Sequence, residues 1–130
     1  LRAAFAESFP QQSSWFHLDR TVEQWFDPEL SPCWWIANPT RGERVACGWV
    51  RRATSQVTGE STAYILLVWV EPGDRRQGLG QALMQAIQQW AEAQGCGAIE
   101  LQVFVHNPVA LAFYTHLGYQ PQGIWLQKPI

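Results

Sequence analysis

One stretch constrains the fold more than any other: an apolar run, a glycine-bearing turn and an amphipathic helix follow without interruption. Ala63–Val70 reads AYILLVWV, apolar on both faces, as a strand covered on both sides must be. The helix that follows sets Leu79, Leu83, Ala86, Ile87, Trp90 and Ala91 on one face. Gln81, Gln85, Gln88, Gln89 and Glu92 take the other, and Gly95 is the expected stop. A buried strand feeding a helix through a tight turn belongs to an α/β domain.

The flanking segments fit that class. Cys33–Ala37 and Val45–Val50 are strand-like runs, joined across Asn-Pro and Arg-Gly turn signals, so they predict a hairpin. Ala53–Ser61 is polar and reads as a connection. Ala98–Val105 alternates and predicts a further strand. Asn107 caps a helix with Pro108 in its first turn, and Gly118 ends it. Tyr119–Ile130 predicts one bent strand or two short ones. Nearer the start, Leu1, Phe5 and Phe9 predict a helix ended by Pro10, and Val22, Trp25 and Phe26 a short helix stopped before Pro28. The expected architecture is a mixed sheet, α/β (α+β), flanked by helices, in one domain over 1–130.

Composition removes several functions. A net charge of -2 and a pI near 5.9 make no electrostatic case for nucleic acid or an anionic membrane. Charged residues are 15% of the chain, below the roughly 25% of an average soluble protein, and 14 Gln supply surface polarity instead. No apolar run approaches the ~20 residues of a membrane span. Cys33, Cys47 and Cys96 have no metal-ligand spacing and read as small buried hydrophobes, so no metal and a cytoplasmic location are expected.

The turn carries chemistry. Between Val70 and the helix lies Glu71-Pro-Gly-Asp-Arg-Arg-Gln-Gly-Leu-Gly80. The first N–H groups of a helix lack intrahelical partners, its dipole is positive there, and glycine admits a phosphate to the backbone. Arg75 and Arg76 add charge. The dinucleotide fingerprint fails, because Leu83 stands where its third glycine belongs, and no Gly-Lys-Ser/Thr of a P-loop follows. Taken alone, the two glycines fit a capped turn with solvated arginines slightly better than a phosphate site.

The second helix shifts that balance. Asn107, Ala110 and Tyr114 share one stripe at i, i+3 and i+7, with Val109, Ala112, Phe113 and Leu117 expected on the adjoining core face. A polar cap, a small residue and a phenol in one row suit a groove for a thin ligand. A half-buried packing tyrosine is the plainer alternative.

Together, Arg75-x-x-Gly78-x-Gly80 after Val68-Trp-Val-Glu-Pro72, then Asn107-Pro-Val-Ala-Leu-Ala-Phe-Tyr-Thr-His-Leu-Gly-Tyr119, resemble the GNAT superfamily of acetyl-CoA-dependent N-acetyltransferases. The match is specific over Ala63–Tyr119; the N-terminal third matches only in element order. The resemblance implies a central mixed sheet that splays open around acetyl-CoA. It implies that Arg76, Gln77, Gly78, Leu79, Gly80 and Gln81, with Arg75 beside them, hold the CoA diphosphate. Val68, Trp69 and Val70 would lie along the pantetheine arm, with Asn107 on its other flank and Tyr114 as the general acid.

The chemistry so implied is direct attack of a primary amine on the thioester, the amine belonging to a small molecule, a protein N-terminus or a lysine. A different acyl group and a non-catalytic CoA-binding regulatory module are the alternatives. No general base is assigned among His106, Glu60 and Glu100. The family's opening strand is missing from this reading; either it is absent, or the sequence is part of a longer chain. Trp15, Trp25, Trp34 and Trp35 fall on the expected acceptor side, where core packing is preferred over an aromatic pocket. Exposed Trp and an open sheet edge make a homodimer an expectation.

Overall fold

The computed structural model describes residues 11, 27, 30–38 and 40–130. The helices expected over Leu1–Phe9 and Val22–Phe26 lie outside the described residues. Four strands form one mixed sheet in the order β1 (Cys33–Ala37), β2 (Arg44–Thr54), β3 (Ser61–Val70), β4 (Ala98–Glu100). β1 and β2 form the expected antiparallel hairpin, and β2 pairs antiparallel with β3. Helix α1 (Leu79–Ala93) carries the chain over to β4, which pairs parallel with β3. Helix α2 (Pro108–His116) follows.

The core sits between the sheet and α1. Val50, Ala63, Ile65, Met84, Ile87 and Ala91 form one buried cluster. Ile87 is fully buried, and burying such a side chain contributes about 1.5–3 kcal/mol. Gly48 makes room for it: a Cβ there would stand 3.3 Å from Ile87 Cδ1. The buried face of α1 is Leu83, Met84, Ile87 and Ala91, so Met84 joins the residues expected from the periodicity.

Three expectations need correction. β4 ends at Glu100 and does not run on to Val105. Its ladder to β3 covers only the pairs Thr62–Ala98, Ala63–Ile99 and Tyr64–Glu100. Just beyond it, the β2–β3 register jumps from Val50–Ile65 to Trp49–Leu67, leaving Leu66 as an extra residue. A bulge increases local twist, and this one falls just past the last β3–β4 pair. The tail holds no strand; residues 120–130 are exposed, and a segment without a paired neighbour cannot keep a β form. On α2, Val109 is 79% exposed and Ala112 also faces solvent, while Phe113 and Leu117 pack inward.

The cysteines are free. Burial pushes the Cys47 thiol up to about 11, with the neighbouring Cys33 adding to the effect, and burial raises Cys33 too. Trp34 packs edge-on against Trp90 at 6.1 Å between ring centroids, which gives it a packing role. Trp35 is 52% exposed, with the Arg44 guanidinium 4.9 Å above its ring. Among the described residues, no helix is long and apolar enough to cross a membrane.

Candidate active site

Because the β3–β4 ladder stops at Tyr64–Glu100, the later residues of β3 and the segment Leu101–Asn107 diverge. The gap between them is a cavity of about 860 Å³, within the roughly 300–1,000 Å³ typical of small-molecule sites. One wall is Ile65–Val70, the opposite wall is Leu101–Phe104 with His106 and Asn107, and α2 closes it with Ala110, Phe113 and Tyr114. Along the first wall, β3 offers backbone N–H and C=O groups that β4 does not take up. Such groups need partners, and an extended amide-bearing ligand supplies them as a strand would.

One end of the cavity is the glycine turn. A short 3₁₀ turn, Pro72–Asp74, leads into it, and the Glu71 N–H is anchored to the Val45 carbonyl at 2.7 Å. Arg76 and Gly78 both take positive φ, 64° and 79°. Gly78 is the N-cap residue of α1, makes no side-chain cap, and the first turn of α1 carries no acidic residue. The opening N–H groups of α1 and its positive dipole end are therefore left for an anion. A Cβ on Gly78 would meet nothing within 4 Å, whereas one on Gly80 would meet the Phe113 ring at 3.3 Å. The two glycines thus differ: Gly78 is needed for backbone conformation, Gly80 for the approach of α1 to α2.

Tyr114 stands on α2. Its ring is held edge-on by Phe113 and by Tyr119, with centroids 5.1 and 5.6 Å away. Burial, with Tyr119 adding to it, pushes its hydroxyl up to about 12. A phenol so placed is neutral throughout the physiological range and can donate a proton. Asn107 caps α2 as expected, its Oδ1 accepting from the Ala110 N–H at 3.1 Å.

The cavity brings together Val68, Trp69, Val70, Arg75, Arg76, Gly78, Leu79, Gly80, Gln81, Asn107 and Tyr114, but Gln77 is exposed and does not line it. Arg75 folds back, its Nε donating to the Val70 carbonyl at 2.9 Å, so it braces the turn that leads from β3. Asp74, Phe104 and Phe113 also line the cavity. Sequence reading misses Asp74 as a site residue, since an acid beside a phosphate turn reads as unfavourable. It also misses the Leu66 bulge, for which the apolar run carries no signal.

Residues 1–119 match the sequence pattern of the family described as acetyltransferase (GNAT). The chain belongs to the GNAT acetyltransferase family. It is 33% identical over 130 residues to a mycothiol acetyltransferase of Beutenbergia cavernae, covering 98% of this chain and 41% of that protein. The chain therefore spans about two-fifths of that relative's length. Among solved structures, a putative acetyl transferase from Pyrococcus furiosus superposes with a TM-score of 0.82 at 24% identity, covering 98% of this chain and 87% of that one. AAC(6')-Iy, solved with the bisubstrate analogue CoA-S-monomethyl-acetylneamine, gives 0.73 at 17% identity over 96% of this chain and 86% of that one. This GNAT chain shares their fold, a mixed sheet with flanking helices.

Proposed function

We propose that this chain is an N-acetyltransferase that moves the acetyl group of acetyl-CoA to a primary amine. The observation that carries this is the single cavity uniting an open β3 edge, the N-terminus of α1 and the Tyr114 phenol. Acetyl-CoA, when bound, supplies an activated acetyl thioester. Arg76, Gly78, Leu79, Gly80 and Gln81 hold its diphosphate at the start of α1. Val68 and the Val70 N–H present backbone groups to its pantetheine arm, with Trp69 beside them on β3 and Asn107 opposite.

The amine attacks the carbonyl carbon, the C–S bond breaks, and the nitrogen gives up a proton to solvent as the amide forms. A backbone N–H of β3 meets the negative charge that develops on the carbonyl oxygen, a contact typically worth about 2.7–4 kcal/mol. Tyr114 gives its proton to the departing sulfur. The acceptor must arrive unprotonated, which an α-amine near 8 does far more readily than a lysine near 10.4. A relative named for mycothiol acetylation, and a neighbour that holds a bisubstrate analogue, support a small-molecule amine as acceptor.

The test is direct: acetyl-CoA is incubated with a panel of small amines and N-terminal peptides, and thiol release is followed. CoA at 100 times its Kd should add about 2.7 kcal/mol of stability. No thermal shift and no thiol release with any amine would overturn the proposal.

A further inference from the structure

Inside the cavity that receives the diphosphate lies a carboxylate. Asp74, 6% exposed, ends the 3₁₀ turn directly before Arg75 and lines the same space. A buried carboxylate is costly without a partner, and facing a diphosphate it is also repulsive. The partner comes from 33 residues away in sequence: Arg41 Nη2 lies 3.0 Å from Asp74 Oδ1 and 3.1 Å from Oδ2. Arg41 is itself presented by a built turn. Asn38 Oδ1 accepts from the Thr40 and Arg41 N–H groups at 2.9 and 3.1 Å, and the Gly42 N–H donates to the Asn38 carbonyl at 2.7 Å. Its second contact, Glu43 at 3.5 Å, is solvent-exposed and screened.

We infer that Arg41 is a positioning residue for the cosubstrate: reaching across from the β1–β2 hairpin, it neutralises Asp74 so that this carboxylate does not oppose the diphosphate. The inference rests on the acetyl-CoA reading above. Its force falls on the diphosphate end of the ligand and spares the thioester end, where Tyr114 stands. Asp74 thereby acts as a fixed anchor whose charge the ligand does not feel. A lysine at 41 keeps the charge on a shorter, compact head, in place of the guanidinium whose Nη2 meets both Asp74 oxygens while Nη1 faces Glu43.

The experiment compares calorimetric Kd values for CoA and for pantetheine, which lacks the diphosphate, in four proteins. These are the wild type, Arg41→Ala, Arg41→Lys and the double variant Arg41→Ala/Asp74→Asn. Arg41→Ala should bind CoA about tenfold more weakly, with pantetheine affinity held to within about twofold. Arg41→Lys should fall between wild type and Arg41→Ala. The double variant, which has no bare carboxylate and so folds even if Arg41→Ala does not, should return to within about threefold of wild type for CoA. The inference is overturned if Arg41→Ala binds CoA like wild type, if pantetheine weakens in step with CoA, or if the double variant binds CoA tenfold or more weakly. A wild type that fails to bind CoA at all overturns the parent reading instead.

Discussion

Replacing Tyr114 by Phe removes one oxygen and leaves the ring between Phe113 and Tyr119. The folded hydroxyl has its pKa pushed from 10.0 up to about 12 by burial and by Tyr119. Below pH 10 both folded and unfolded chains keep the proton, so no stability depends on it. Between pH 10 and 12 only the unfolded chain ionises, and stability falls as pH rises; two units amount to about 2.7 kcal/mol. The Phe variant lacks that loss. Urea denaturation at pH 9, 10, 11 and 11.5 should therefore show the wild type losing stability more steeply than Tyr114→Phe. Turnover is read in parallel at pH 8, where the general acid should be worth about 10²–10⁴-fold. Burial raises the proton affinity of a thiolate leaving in the same cleft as well, which narrows its mismatch with the raised phenol. Parallel pH–stability curves would refute the burial argument. Turnover within about threefold of wild type, with CoA still bound, would refute the acid assignment.

Gly78→Val should weaken CoA binding in calorimetry and cost about 1–2 kcal/mol, because its φ of 79° is left-handed. Gly80→Val should lower the melting temperature by pushing on Phe113, and Phe113→Ala in the same chain should recover part of the loss. Asn107→Ala removes the cap of α2 and should cost about 1 kcal/mol in urea denaturation. Arg76→Gly should relieve a backbone φ of 64° and gain about 1 kcal/mol, while weakening CoA through loss of a cation; unchanged affinity would remove Arg76 from the diphosphate site.

The legible parts of this molecule are those encoded locally. The period of α1, the Asn107 cap with Pro108, and the Gly95 and Gly118 stops are fixed by neighbours within a few residues. So is the turn after Val70. What stayed hidden depends on partners far away in sequence. The early end of β4 lies beside the bulge at Leu66, which alternation in β4 itself cannot report. Val109 has core-like helical spacing, yet it lies exposed on α2 while Phe113 and Leu117 pack inward. The Arg41–Asp74 pair joins a hairpin to a turn 33 residues later and leaves no pattern in either. Motif residues and their cavity coincide because the turn and α2 carry their own geometry; Gln77 alone points elsewhere.

The three-rung ladder between β3 and β4 also bears on solubility. An unpaired strand edge on the rim of a sheet invites another chain to add itself, and proteins blunt such rims with charge, proline or bulges. Here the β3 backbone groups that β4 does not take up face a cleft, with Leu101–Phe104 across from them and α2 beside it. A passing polypeptide meets the far wall before it can lie along β3, while a slender molecule entering end-on does not. The chain therefore keeps a row of backbone donors and acceptors ready for a guest without displaying it as a template for aggregation.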